Sequence, residues 1–365
     1  MAPFPEHALA TPAGTAAYAA RFPQFGPTLH FRKLRLAALA ASCLVSSLGI
    51  GTYLGAPDDA TDEAYAAALA AALAGGINLV DTAINYRNQR SELVIGRVLR
   101  RQNVPRQEVF ICSKAGFLPA GAPLPPGLIR PGELAGGGHC MAPVFLAHQL
   151  QASLDNLGLD ALDVFYLHNP ETQQAELSRE EFYRRVRLAF ELCEKQAVQG
   201  RIRAYGLATW NGLRVPPDAV DYLDLNRMVA IARELAGDEH HFRFVQMPYN
   251  LAMPEAYTLL NQTVDKPPYV STLNAAFRLG LHVIASASLM NGRLLPLPGD
   301  VRAHLQPYLP PADSDAELAL QFVRSTAGVT AALVGMANPA HVAANLHAAS
   351  VAPAAPARIG KLLQQ

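Results

Sequence analysis

Short apolar runs alternate with longer amphipathic ones along most of the chain. The short runs predict strands at 46–52, 77–81, 108–114, 162–168, 202–208, 243–249, 281–287 and 329–335. Between them, helical periodicity predicts helices near 62–75, 89–101, 143–158, 180–199, 223–236, 270–280, 313–326 and 339–349. Gly75-Gly76, Gly158, Gly200 and Gly280 stand where four of these helices would end, a position that favours glycine. Strict alternation of strand and helix signals argues for parallel strands joined by crossover helices. A count of eight favours a closed (β/α)8 TIM barrel over an open doubly wound sheet. No GxGxxG follows the first strand, which removes the usual dinucleotide fingerprint of the open fold.

The chain outside this pattern divides simply. Residues 1–28, rich in Ala, Pro and Gly, predict an extended or partly mobile lead-in; 29–350 predict a single barrel, and 351–365 a C-terminal tail. Residues 116–142 are too Gly- and Pro-rich and too long for a simple turn. They join 169–178, 249–268 and 288–312 as long loops after strand ends, the face on which barrels build pockets.

Composition narrows the function classes. Thirty acidic and 30 basic residues give zero formal net charge, so neither a nucleic acid nor an anionic membrane is an expected partner. Four widely spaced cysteines without a CxxC fit free thiols in a reducing compartment, and a cytoplasmic protein is expected. The basic stretch Phe31-Arg-Lys-Leu-Arg35 before the apolar run 36–43 imitates a targeting signal. It starts some thirty residues in, is diluted by alanine and serine, and reads instead as a strand pair leading into the barrel.

Candidate chemistry gathers at three successive strand ends: Asp81 with Tyr86 five residues later, then Lys114, then His168. A buried carboxylate needs a partner, and a free phenol titrates near pH 10, too high for proton exchange at neutral pH unless tuned. An ammonium beside the phenol would lower that value, and a carboxylate would hold the ammonium in place. Histidine could then orient a carbonyl while the phenol protonates its oxygen. Singly, each residue has an ordinary structural use as a cap, a rim residue or a satisfied core group. Four compatible residues on adjacent strand ends point to carbonyl reduction, with hydride from elsewhere.

The motifs LGIGTY (48–53), NLVDTAINY (78–86), FICSK (110–114), LDVFYLHNPE (162–171), AYGLATW (204–210), VQMPYN (245–250) and LVGMANPAHVAANL (333–346) resemble the aldo-keto reductase family. That resemblance covers residues 30 to 348 and implies an oxidoreductase whose catalytic Asp–Tyr–Lys–His set falls on Asp81, Tyr86, Lys114 and His168. It also implies a nicotinamide cofactor lying across the barrel mouth. Gln246, Ala208 and Thr209 would meet its carboxamide, and Thr52 and Tyr53 would line its nicotinamide end. Ser286 stands where many relatives place a stacking aromatic. The segment Ser288-Leu289-Met290-Asn291-Gly292-Arg293 would cover the pyrophosphate. Gly335, Asn338 and the following helix start offer backbone N–H groups to a phosphate. Asn345 matches the adenine contact, and His341 falls where NADP-preferring relatives carry arginine. The family favours NADP(H) over NAD(H), with a small carbonyl or alcohol as substrate.

Two other functions fit the same barrel: a lyase using Lys114 as a Schiff-base amine, and a cofactor-binding regulatory barrel like the β-subunits of potassium channels. No metal site is expected: His139-Cys140 lacks further ligands and reads as loop, and His240-His241 reads as surface. Trp210, the one tryptophan, fits either a substrate-pocket wall or simple rim packing, and Glu171 is left without a role. Substrate identity and oligomeric state are not legible.

Overall fold

The computed structural model describes residues 8–36, 39, 41–120 and 124–364. The first seven residues of the lead-in, three alanines of the 36–43 run, residues 121–123 of the long loop and Gln365 of the tail lie outside the described residues.

Eight parallel strands close a barrel: β1 Leu48–Gly51, β2 Leu79–Asp81, β3 Phe110–Ala115, β4 Leu162–His168, β5 Ile202–Ala208, β6 Phe242–Pro248, β7 His282–Ser286 and β8 Val329–Gly335. Each is followed by a crossover helix: α1 Asp59–Gly75, α2 Arg90–Arg101, α3 Pro143–Leu157, α4 Arg179–Val198, α5 Leu225–Ala236, α6 Thr272–Arg278, α7 Asp315–Ser325 and α8 Pro339–Ser350. The protein is a (β/α)8 barrel. Several helices start on a side-chain cap (Asp58, Ser178, Asp224, Ser271, Ser314) and several stop at a left-handed glycine.

Side-chain parity separates the two layers. Positions such as Val80, Ile111, Phe165, Leu167, Val245 and Val283 join the helices in one large apolar cluster. Their neighbours Leu79, Phe110, Cys112, Val164, Tyr166, Phe244 and Ile284 point inward and fill the barrel. Gly206 keeps that interior closable, because a Cβ there would stand 2.2 Å from the Phe244 carbonyl oxygen. Counting upward in steps of two, the inward positions finish at Asp81, Lys114, His168, Ala208, Gln246 and Ser286. The register pairs Lys114 with Tyr166, His168 with Ala208, and Ala208 with Gln246. The candidate residues therefore form the uppermost inward layer.

The lead-in is not extended. Thr11 caps a helix over Pro12–Ala20, and Tyr18 Oη from that helix donates to the Leu73 carbonyl at 2.6 Å. An antiparallel pair, Phe31–Leu34 with Cys43–Ser46, then closes the barrel floor, with Leu34, Leu36, Cys43 and Val45 in the same apolar cluster as the barrel interior. Ser46 thus belongs to this pair, and the first barrel strand starts later than the apolar run alone implies. The tail carries a further helix, Pro356–Leu362. All four long loops are also ordered locally, 288–312 by a helix over Gly299–Leu305. Leu134–Ala135 pairs with His139–Cys140, a 3-10 helix spans Pro170–Ala175, and Leu260–Val264 pairs with Lys266–Ser271.

Candidate active site

Asp81 ends β2 and Lys114 reaches it from β3, both buried. An ammonium carries three protons, and each has one acceptor here: Asp81 Oδ1 at 2.5 Å, the Thr82 carbonyl at 2.7 Å and Tyr86 Oη at 3.4 Å. The second Asp81 oxygen accepts from Gln246 Nε2 at 2.8 Å, and Thr52 Oγ1 donates to the Asp81 carbonyl at 3.3 Å. Thr52 is held in turn by Ser91, whose Oγ donates to the Thr52 carbonyl at 2.7 Å. Burial is the largest influence and presses the Lys114 ammonium down, yet the Asp81 carboxylate and the Tyr86 phenol together hold it above the ordinary lysine value.

The Tyr86 phenol is raised, not lowered. Burial is the largest cause; the Lys114 ammonium pulls down and the Asp81 carboxylate pushes up. The tuning expected from lysine is present but does not win. Because Lys114 can only donate, Tyr86 Oη accepts, and its own proton is left for another acceptor. His168 lies edge-on to the Tyr86 ring with centroids 5.7 Å apart, and Tyr53 does the same from the other side at 5.0 Å. Burial, together with the charge of Lys114, keeps the His168 imidazole neutral by lowering it well below the usual histidine value. Its Nδ1 is buried without a hydrogen-bond partner.

Above these residues opens one cavity of about 1000 Å³, at the upper end of the usual range for ligand sites. Asp81, Tyr86 and His168 line its floor, whereas Lys114 stays behind them. From there it runs past Thr52, Tyr53, Thr209 and Gln246 to Ser286, Leu289, Asn291 and Arg293, and ends at Gly335, Asn338, His341 and Asn345. Apart from Met290, every residue singled out for cofactor contact lines this cavity. Two differ in what they present. Gln246 is engaged with Asp81, and the Asn338 side chain caps α8 by accepting from Ala340 N at 2.9 Å.

The start of α8 offers fewer donors than a generic helix end. Pro339 has no N–H, and the N–H groups of Ala340, His341 and Val342 all bond back to Asn338. The loop 287–292 instead takes left-handed backbone at Ala287, Met290, Asn291 and Gly292.

Several residues carry roles that the sequence did not reveal. Glu171 Oε1 accepts from Trp210 N at 2.7 Å and Asn211 N at 3.2 Å, shaping the turn after β5, and Trp210 lies on the cavity rim. His139 is not a free loop residue but fully buried, its Nε2 2.7 Å from the His168 carbonyl oxygen. His240 is likewise not on the surface: it is buried beside Arg243, while His241 Nδ1 lies 2.6 Å from Glu194 Oε2. Partners far along the chain hold His139 and His241, and local sequence carries no signal for that.

A family model described as the aldo/keto reductase family matches residues 47–296, well over half of the chain. The chain belongs to the aldo/keto reductase family. Curated relatives include an aldo-keto reductase of Alternaria alternata, 34% identical over 104 residues, which are 26% of this chain and 28% of that protein. The NADH-specific methylglyoxal reductase of Escherichia coli (strain K12) is 27% identical over 139 residues, 36% of this chain and 37% of that one. The D-threo-aldose 1-dehydrogenase of a Pseudomonas species is 30% identical over 145 residues, 37% of this chain and 40% of that one. The chain thus spans between about a quarter and two-fifths of the length of these relatives. Among solved structures, an aldo/keto reductase from Klebsiella pneumoniae in complex with NADP and acetate shares 21% identity at a TM-score of 0.61, covering 91% of this chain and 94% of that one. A holo aldo-keto reductase from Bacillus halodurans gives the same identity and TM-score over 91% and 96%. Both share the barrel fold. Among the described residues, no helix is long and apolar enough to cross a membrane.

Proposed function

We propose that this aldo/keto reductase reduces a small aldehyde or ketone with a nicotinamide dinucleotide, or runs the reverse alcohol oxidation, with Tyr86 as the proton donor. One observation carries the reading. The Tyr86 oxygen accepts from an ammonium whose other two protons are already engaged, so its own proton is available to a substrate oxygen. Burial keeps that phenol protonated, as an acid in the reductive direction must be.

The residues present fit the cofactor. The cavity is long enough to continue from the Tyr86 floor to α8, and Asn345 and Arg293 supply an amide and a cation on its far walls. A bound nicotinamide supplies hydride to the carbonyl carbon. The protein's own groups do the rest. Neutral His168 orients the carbonyl toward Tyr86, and Tyr86 gives up its proton as charge develops on the oxygen. Lys114 stabilises the resulting phenolate from 3.4 Å, and Asp81 holds Lys114 in place. Arg293, a cation on the cavity wall, supports NADP(H) over NAD(H), whereas His341 replaces the arginine of NADP-preferring relatives and is a weaker phosphate partner. Four unpaired cysteines accord with a cytoplasmic setting.

The lyase alternative loses its nucleophile here. A Schiff base needs a free amine, and Lys114 is a fully engaged, buried ammonium with raised proton affinity. The test is a fluorescence titration with NADPH and NADH, followed by reduction of 4-nitrobenzaldehyde by wild type and Tyr86→Phe. Turnover should fall about 10²–10⁴-fold with the cofactor Kd within about twofold of wild type. Binding of neither dinucleotide, or full turnover in Tyr86→Phe, refutes the proposal.

A further inference from the structure

The His168 ring has no side-chain hydrogen bond to set its angle, since Nδ1 is buried without a partner. Its orientation must come from packing and from the backbone that carries it. Both are supplied by the long loop that follows β3. Phe117 packs edge-on to His168 at 5.3 Å and edge-on to His139 at 5.0 Å, so one phenyl ring separates the two imidazoles. His139 then reaches the His168 carbonyl oxygen directly, Nε2 to O at 2.7 Å.

The proton on His139 can be placed by elimination. Gln173 Nε2 lies 2.9 Å from the His139 carbonyl oxygen, which can only accept, so the amide nitrogen faces that side. Arg185 Nη1 lies 2.7 Å from the other amide atom and can only donate, so that atom is oxygen. The same Gln173 nitrogen is 3.0 Å from His139 Nδ1, which therefore accepts. The ring proton is left on Nε2, donated to His168. Arg185 is anchored in turn by Glu181 at 3.0 Å and by the Glu133 carbonyl at 3.1 Å. The relay thus runs from α4 through a 3-10 helix to the hairpin and into the strand end. Gly116 shows how close the fit is. A Cβ there would lie 2.6 Å from the His168 oxygen and 2.7 Å from His139 Nε2, on top of the hydrogen bond itself.

We infer that His139, held by Gln173 and Arg185, is a positioning residue for His168: the inserted hairpin sets the angle at which His168 meets the carbonyl. This rests on the reading of His168 as the carbonyl-orienting group. The loop after β3 is then a built part of the reaction centre as well as a pocket wall. Neutral His139 is the form that makes both bonds, and burial keeps it neutral by lowering its pKa to about 4.

The test compares wild type, His139→Phe, Gly116→Ala, His168→Ala and the H139F/H168A double variant in reduction of 4-nitrobenzaldehyde by NADPH. His139→Phe keeps a ring against Phe117 and removes both hydrogen bonds; Gly116→Ala wedges the bond apart with His139 intact. Each should lower kcat and kcat/KM together by about 10–100-fold, with the NADPH Kd within about twofold. In the H168A background, His139→Phe should change kcat by less than about twofold, because the residue it positions is gone. Wild-type kcat in both single variants, or the same loss with and without His168, overturns the inference. ¹⁵N-edited spectra of the histidine rings supply a readout free of turnover. His139 should be the Nε2–H tautomer, and the His168 ring resonances should shift in both variants. An Nδ1–H tautomer, or unshifted His168 resonances, overturns it. If wild type reduces no carbonyl with either dinucleotide, the proposed function fails, while these spectra still decide the positioning.

Discussion

Replacing Lys114 by Met removes the ammonium from a fully buried site and leaves Asp81 with Gln246 Nε2 at 2.8 Å as its remaining side-chain donor. Burial already raises the Asp81 carboxyl against the pull of Lys114. Without that pull the carboxyl takes up a proton on folding. Protonating an ordinary carboxyl, pKa about 3.9, at pH 7 costs about 4 kcal/mol. That figure lies within the 3–5 kcal/mol typical of removing one partner from a buried pair. Lys114→Met should therefore lose about 3–4 kcal/mol at pH 7. The sign with pH follows from proton counting. Between about pH 4 and its raised folded value, Asp81 in the variant binds more proton folded than unfolded, so stability falls as pH rises. Lowering the pH to 5 should recover about 1.4 kcal/mol per unit, and so leave a deficit of about 1 kcal/mol or less. Urea unfolding of wild type and variant at both pH values measures this directly. A deficit below about 1 kcal/mol at pH 7, or one equal at both pH values, would refute the argument that Lys114 is what keeps Asp81 ionised.

Two further outcomes follow from buried groups. His168 titrates well below the usual histidine range because of burial and Lys114. The neutral form therefore persists through pH 6.5, and kcat for carbonyl reduction should show no acid limb there; an acid limb near 6.5 that vanishes in His168→Ala contradicts this. Arg324 is 2% exposed and pairs with no carboxylate among the described residues; it donates to the Ala348, Ala349 and Val351 carbonyls at the end of α8, to the Thr28 carbonyl and to Ser47 Oγ. Arg324→Met strands those acceptors and should cost about 2–4 kcal/mol by chemical denaturation, whereas a loss under about 1 kcal/mol would mean that water reaches them.

How much of this was legible in the chain depended on how local the signal was. Alternating apolar runs specify strand and helix through side-chain period, a property of each segment, and eight repeats leave a barrel as the simplest closure. The same period placed the candidate chemistry, because strand ends of a parallel barrel share one face. Asp81, Lys114 and His168 could therefore be expected at one mouth, and the inward parity of their strands brings them there. What the chain could not disclose was which atoms they would spend on each other. Three acceptors around one ammonium, and burial outweighing its charge at Tyr86, depend on groups from different strands at ångström distances. His139 shows the limit most clearly. In sequence it sits beside three glycines, with no periodicity to read; in the fold, Phe117, Gln173 and the end of β4 meet it, with Arg185 behind Gln173. The lead-in is a second case. Alanine and proline predict little by themselves, yet Tyr18 finds carbonyls at the end of α1, and the strand pair that follows finds an open barrel floor to fill. Pattern along the chain determined the architecture, since periodicity survives without neighbours. Burial, proton placement and hydrogen-bond partnership were decided by the tertiary structure, since each is set by residues the chain brings together only when it closes.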